Sequence, residues 1–142
     1  MSEAGSRQTL RALPEVGETL PELVVPITPT RIVAGAVASR DYQDVHHDVP
    51  AARAKGSPDI FMNILTTNGI VGRFVTDWAG PGARILKIAI RLGVPNYPGD
   101  TMTLTGSVTR AEDDGTVEVA VRGANQLGDH VTGTVTLKGS GE

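Results

Sequence analysis

The polar chemistry of this chain is concentrated in one stretch. Ser39-Arg-Asp-Tyr-Gln-Asp-Val-His-His-Asp48 carries three carboxylates and two of the chain's three histidines. Metal binding is the first chemistry to test. His46 and His47 are adjacent, so they cannot both face one ion from a regular helix or strand, and no His-Glu-x-x-His or comparable spacing occurs. No metal is expected. A serine nucleophile has no support either, because the glycine-flanked elbow Gly-x-Ser-x-Gly is absent. An acid/base pair fits better. A carboxylate and an imidazole converging on one water can hold it, take a proton from it and return a proton to carbon. Those are the steps that add water across the double bond of an enoyl thioester. Asp41 and His46 are the candidates. Spacing alone also allows plainer roles, with Asp41 capping a turn and both histidines as exposed loop residues.

Such a pair must be held by something. The thioester carbonyl also needs donors for the negative charge it develops, and the free N–H groups at a helix N-terminus offer them. The pattern along the chain supplies candidate elements. Residues 20–27 read as extended. Thr28-Pro29 reads as a hydroxyl cap followed by proline at the first helical position, which favours a short apolar helix to residue 39, although the β-branched residues there leave a strand open. Residues 41–58 read as a loop rich in Asp, His, Pro and Gly. A long helix is expected over residues 59–78, with Ile60, Ile64, Val71, Phe74, Val75 and Trp78 on one stripe and Phe61, Leu65 and Ile70 widening it. A helix so apolar around its girth is expected to be buried on several sides. Its start lies a short loop beyond His46.

From residue 84 onward the period changes to two. Leu86, Ile88, Ile90 and Leu92, then Met102, Leu104 and Val108, then Val117, Val119 and Val121, then Val131, Val135 and Leu137 alternate with polar or small residues. This is the pattern of an antiparallel sheet with one apolar face. Pro98-Gly-Asp100, Asp113-Asp-Gly115 and Leu127-Gly-Asp129 supply the turns. One long helix and a curling sheet predict an α+β domain in which the sheet wraps the helix.

Composition narrows the function classes. The 142 residues suit one domain, read as an arm over residues 1–17, a body over 18–138 and a tail over 139–142. Thirteen basic and sixteen acidic residues give a net charge of -3, too mild to suggest nucleic acid or a membrane surface. Aromatic residues are 4% of the chain, which argues against a base-stacking platform. Cysteine is absent, which removes disulfides and thiolate chemistry. The first 14 residues have no apolar stretch of signal-peptide length, and no window reaches the roughly 18 apolar residues of a membrane span. The expectation is a cytoplasmic protein.

The motif carries a resemblance. Asp41-Tyr-Gln-Asp-Val-His46 resembles the Asp-x-Asn-Pro-x-His motif of MaoC-like (R-specific) enoyl-CoA hydratases, a family with the hot-dog fold. Leu65-Thr66, Gly69, Thr76-Asp-Trp-Ala-Gly-Pro81, Arg91-Leu-Gly-Val-Pro95, Pro98-Gly-Asp-Thr101 and Gly123-Ala-Asn-Gln-Leu-Gly-Asp129 look like landmarks of the same family. The resemblance spans about residues 18–138. It implies a hot-dog domain with Asp41 and His46 as a cofactor-free catalytic pair. The family usually has His-Gly near the start of the central helix, where the glycine N–H polarises the carbonyl. Here Met62-Asn63 stands there, so the resemblance assigns the backbone N–H of Asn63 to that role. The family's Asn-Pro is replaced by Gln43-Asp44. Ile60, Phe61 and Met62 are candidates to line the acyl pocket, with core packing the plainer alternative.

The run from Arg40 to Asp48, followed by Asp59-Ile-Phe-Met-Asn-Ile-Leu65, is similar to the small catalytic subunits of actinobacterial steroid side-chain hydratases of cholesterol catabolism. That likeness implies a hetero-oligomer with a second MaoC-like chain carrying a DUF35 domain, and through it a thiolase-like aldolase. The implied substrate is a steroid enoyl-CoA with a three-carbon side chain unsaturated at the ring D junction. A hydratase of ordinary fatty acyl thioesters should keep Asn-Pro and His-Gly, and a non-catalytic hot-dog scaffold should have lost Asp41 or His46. A hot-dog thioesterase would release free thiol.

Overall fold

Thr28 opens the first helix as the sequence predicts. Its Oγ1 accepts from the N–H of Arg31 at 3.0 Å, and Pro29 takes a position whose N–H has no helical acceptor. In the computed structural model, which describes residues 13–139, the elements run in this order. β1 (Leu23–Pro26) leads into α1 (Pro29–Ala38), a 3-10 turn (Asp44–His46), α2 (Val49–Ala54) and α3 (Ile64–Ala79). Then come β2 (Arg84–Leu92), β3 (Thr101–Ala111), β4 (Thr116–Asn125) and β5 (Gly128–Lys138). Most of the expected arm and tail lie outside the described residues. Gly17 already donates to the carbonyl of Val108 at 2.8 Å, so the chain lies on the sheet from there.

The five strands form one antiparallel sheet in the order β1-β3-β4-β5-β2. The α+β architecture matches the expectation. Met102, Leu104, Val108, Val119, Val131 and Val135 are buried on the sheet's inner face. Against them α3 lays Ile70, Val71, Phe74 and Val75. The approach is close. A Cβ on Gly106 would sit 3.0 Å from the Phe74 ring and 3.1 Å from the carbonyl oxygen of Ala120. Register shifts at Ile85/Lys87, Val108/Arg110 and Gly123/Ala124 bend the strands around the helix.

Three local expectations need correction. The long helix begins at Ile64, not residue 59. Residues 60–62 are non-helical because their backbone is claimed from outside: the N–H of Phe61 bonds to Val45 O and that of Met62 to Asn96 O. Asn63 then caps the helix. Nor is the helix buried around its girth. Ile64 and Leu65 remain 48% and 52% exposed, and burial follows the single face of Thr67, Ile70, Val71, Phe74 and Val75. The 41–58 segment, read as loop, contains α2, whose cap is Asp48 accepting from the N–H of Ala51 at 3.0 Å. An acid two residues before Pro50 is a helix-start signal that the density of polar residues masked.

α1 follows the edge strand β1 and is tied to it by Arg31 Nε donating to Pro26 O. Its main packing is against the first turn of α3. A Cβ on Gly35 would fall 2.1 Å from Thr66 Oγ1, so only glycine permits this crossing. The C-terminus of α1 and the N-terminus of α3 thereby meet.

Candidate active site

Asp41 is placed by the way α1 ends. Arg40 adopts φ +57°, the left-handed region. The N–H of Arg40 bonds to Val37 O at 3.0 Å and that of Asp41 to Ala36 O at 2.9 Å. This pair of bonds is a Schellman ending, in which a left-handed residue turns the chain back over the last helical turn. Glycine is the usual occupant, and here an arginine holds the strained position directly before the carboxylate. The ending fixes the backbone of Asp41 and sends its side chain toward the start of α3.

His46 sits at the end of the 3-10 turn, with its side chain 7% exposed against 20% for that of Asp41. Its Nδ1 lies 2.7 Å from the carbonyl oxygen of Phe61. A carbonyl only accepts, so Nδ1 carries the proton, and Nε2 presents a lone pair whenever the ring is neutral. Nε2 lies 3.3 Å from Asp41 Oδ2. The Phe61 ring meets the imidazole edge-on, with centroids 5.1 Å apart, and steadies its plane. A proton taken up by Nε2 would face the carboxylate at once. This ring is built to receive a proton on one nitrogen while the other is tied.

Asn63 joins both elements. It is 2% exposed. Its Oδ1 accepts from the N–H of Thr66 at 3.0 Å and from Thr66 Oγ1 at 2.6 Å. Its Nδ2 donates to Ser39 Oγ at 3.0 Å and to Asp41 Oδ2 at 3.1 Å. Ser39 in turn donates to the carbonyl of Gly35 at 2.7 Å. The Asn63 bond is the main reason that the Asp41 carboxyl lies below its usual value, with smaller help from the Gln43 N–H and the charge of His46 against a partial desolvation. The backbone N–H of Asn63 makes no hydrogen bond within the described residues. It stands one residue before a helix whose first N–H groups also lack helical acceptors.

The structure thus brings Asp41, His46 and Asn63 together. Of the residues singled out for the acyl pocket, Phe61 is half-buried against His46, while Ile60 and Met62 are buried at 4% and 2% exposure in the core cluster. Asp44 forms an ion pair with Lys55 at 2.6 Å that braces the loop from outside. His130 is a core group: Nδ1 donates to Val94 O, and Nε2 accepts from Thr67 Oγ1, each at 2.7 Å. Sequence reasoning missed the amide of Asn63. Asparagine ahead of an apolar periodic run is a cap signal, but its reach to Asp41 depends on how α1 and α3 cross. Among the described residues no group of three or more His, Cys, Asp or Glu could hold a metal ion. No helix among them is long and apolar enough to cross a membrane.

With this geometry in place, comparison with known proteins adds a lineage. The model of the MaoC-like domain matches residues 13–131. The chain is 59% identical over 122 residues to the 3-oxo-4,17-pregnadiene-20-carboxyl-CoA hydratase beta subunit of Mycobacterium tuberculosis, covering 86% of this chain and 94% of that one. It superposes on a chain of the ChsH1-ChsH2 complex from Mycobacterium tuberculosis with a TM-score of 0.86 and 56% identity, covering 89% of this chain and 99% of that one. The R-hydratase PhaJ1 from Pseudomonas aeruginosa shares the fold at a TM-score of 0.83 and 23% identity, over 91% of this chain and 84% of that one.

Proposed function

The chain belongs to the MaoC-like domain family, and from that premise we propose that it is the catalytic subunit of a two-chain hydratase acting on a steroid side-chain enoyl-CoA. The observation that carries this reading is the Asp41–His46 pair, 3.3 Å apart at the meeting point of α1 and α3. The 59% identity to a subunit named for hydration of a pregnadiene carboxyl-CoA supports the substrate class. Retention of both members of the pair, in contact, speaks against a scaffold role.

The chemistry follows from the tied imidazole. A water held between Asp41 and Nε2 of His46 attacks the β-carbon as its proton passes to Nε2. The π electrons of the double bond move onto the thioester as an enolate, whose oxygen is met by the N–H of Asn63. Nε2 then returns a proton to the α-carbon. One water is added, and the enzyme ends as it began. Asp41 remains an anion throughout, orienting the water and balancing the imidazolium. With a side chain unsaturated at ring D the product is a tertiary alcohol. Phe61 forms part of the pocket wall beside the reacting atoms, whereas Ile60 and Met62 support that wall from the core.

The partner in this reading is a second MaoC-like chain carrying a DUF35 domain, which docks a thiolase-like aldolase that cleaves the tertiary alcohol. The site of action is the cytoplasm. The test is co-expression with such a chain, followed by loss of enoyl-thioester absorbance on adding the pregnadiene carboxyl-CoA. Asp41→Asn and His46→Ala should each reduce hydration by about a hundredfold or more while the complex stays assembled. Full activity in either variant would overturn the mechanism. Equal turnover of short linear enoyl-CoAs would overturn the substrate assignment.

A further inference from the structure

We propose that the side-chain amide of Asn63 is a positioning group for the acid/base pair, holding Asp41 as an oriented anion so that the proton of the attacking water goes to His46. This rests on the hydratase reading above and assigns Asn63 a second role beside its backbone N–H.

The argument begins with which end of the amide faces which neighbour. Oδ1 faces the N–H and hydroxyl of Thr66. Nδ2 faces Ser39 Oγ and Asp41 Oδ2. Turning the amide over would oppose NH2 to the Thr66 N–H and a carbonyl to the carboxylate. Both contacts would then be repulsive, so chemistry admits only one orientation. The Ser39 hydroxyl is likewise committed, since its proton goes to the carbonyls of Gly35 and Ala36 and its lone pair is left for Asn63. Donors therefore run one way, from the fixed amide into Asp41 Oδ2.

That oxygen is the one facing His46 Nε2. A donor already aimed at Oδ2 opposes its protonation, so the carboxyl does not compete with the imidazole for the water's proton. Oδ1 has only the long 3.4 Å contact with the Gln43 N–H and is left to hold water. The Gln43 side chain, inside the motif itself, is exposed and takes no part. The amide that serves Asp41 comes from the start of α3 instead. Because it is 2% exposed, its bonds face little competition from solvent.

Asn63→Asp and Asn63→Ser both keep an oxygen able to cap α3 and both remove the amide donor. In the co-expressed complex, Asn63→Asp sets a second carboxylate against Asp41. We expect the Asp41 carboxyl, followed by 13C NMR with aspartate labelling, to titrate about one pH unit or more higher. Its kcat should fall about ten- to a hundredfold with little change in KM and a melting temperature close to that of the native complex. Asn63→Ser should lower kcat in the same way with a smaller titration shift. An unmoved Asp41 titration in Asn63→Asp, or a native kcat in both variants, would overturn the proposal. If the native complex hydrates no steroid enoyl-CoA, the hydratase reading fails on its own, and the carboxyl titration still decides whether Asn63 governs Asp41.

Discussion

Arg40 occupies a backbone conformation that costs a side-chain-bearing residue about 1 kcal/mol relative to the right-handed regions, and it stands directly before Asp41. The strain is held because the Schellman bonds and the packing of α1 on α3 together over-determine the turn. Two substitutions separate strain from charge. Arg40→Gly should unfold within about 1 kcal/mol of the native protein, since relief of strain offsets the added freedom of the unfolded chain. Arg40→Val should destabilise by about 1–2 kcal/mol, because branching at Cβ crowds the left-handed conformation. Thermal melts of the two variants measure the ordering. Asp41 makes a separate prediction about pH. Its folded value is depressed below 3.8, chiefly by Asn63, so the stability it contributes is complete above that pH and is lost as pH falls through the folded value. Asp41→Asn should make acid unfolding less steep in that window.

Between elements, the crossing of α1 and α3 does the positioning. Gly35→Ala places a methyl carbon 2.1 Å from Thr66 Oγ1. Because Thr66 holds Asn63 from the other side, the substitution should cost about 1–3 kcal/mol and should also lower kcat, readouts separable by denaturation and steady-state assays. His130 fastens β5 and the Val94 segment to α3 through Thr67. Burial pushes its value below 6.5, so its contribution is complete above that pH and declines as pH falls below it. His130→Ala should cost about 2–4 kcal/mol at pH 8, from the void and two stranded polar groups, and the difference should narrow at pH 5.5 in urea titrations. The elements themselves were largely legible. Period-two runs such as Val117, Val119 and Val121 report a half-buried sheet whatever the topology, and Thr28-Pro29 marks a helix start locally. The start of α3 was not legible, because residues 60–62 are kept out of the helix by bonds to Val45 and Asn96 from distant parts of the chain. The site divides in the same way. Asp41 and His46 lie within one motif, whereas the amide of Asn63 enters from beyond it, and only the helix crossing shows that it arrives.

At the scale of the molecule, the sheet has two outer strands of different character. β1 is four residues long and ends in proline, a short edge that discourages further pairing. β2 is nine residues long, contains no proline and lies at the opposite edge. Leu86 and Leu92 on it are 48% and 37% exposed, and only Arg84, Lys87 and Arg91 blunt its appeal to other strands. An outer strand of this kind is safe while something covers it and hazardous when nothing does. The consequence is one of supply. Were a second chain to cover β2, synthesis of this chain in excess of that partner would leave the edge open to other copies. Made alone, the chain should sediment as concentration-dependent aggregates. Leu86→Lys should raise its soluble yield without conferring hydration, an outcome that centrifugation and a single assay would read.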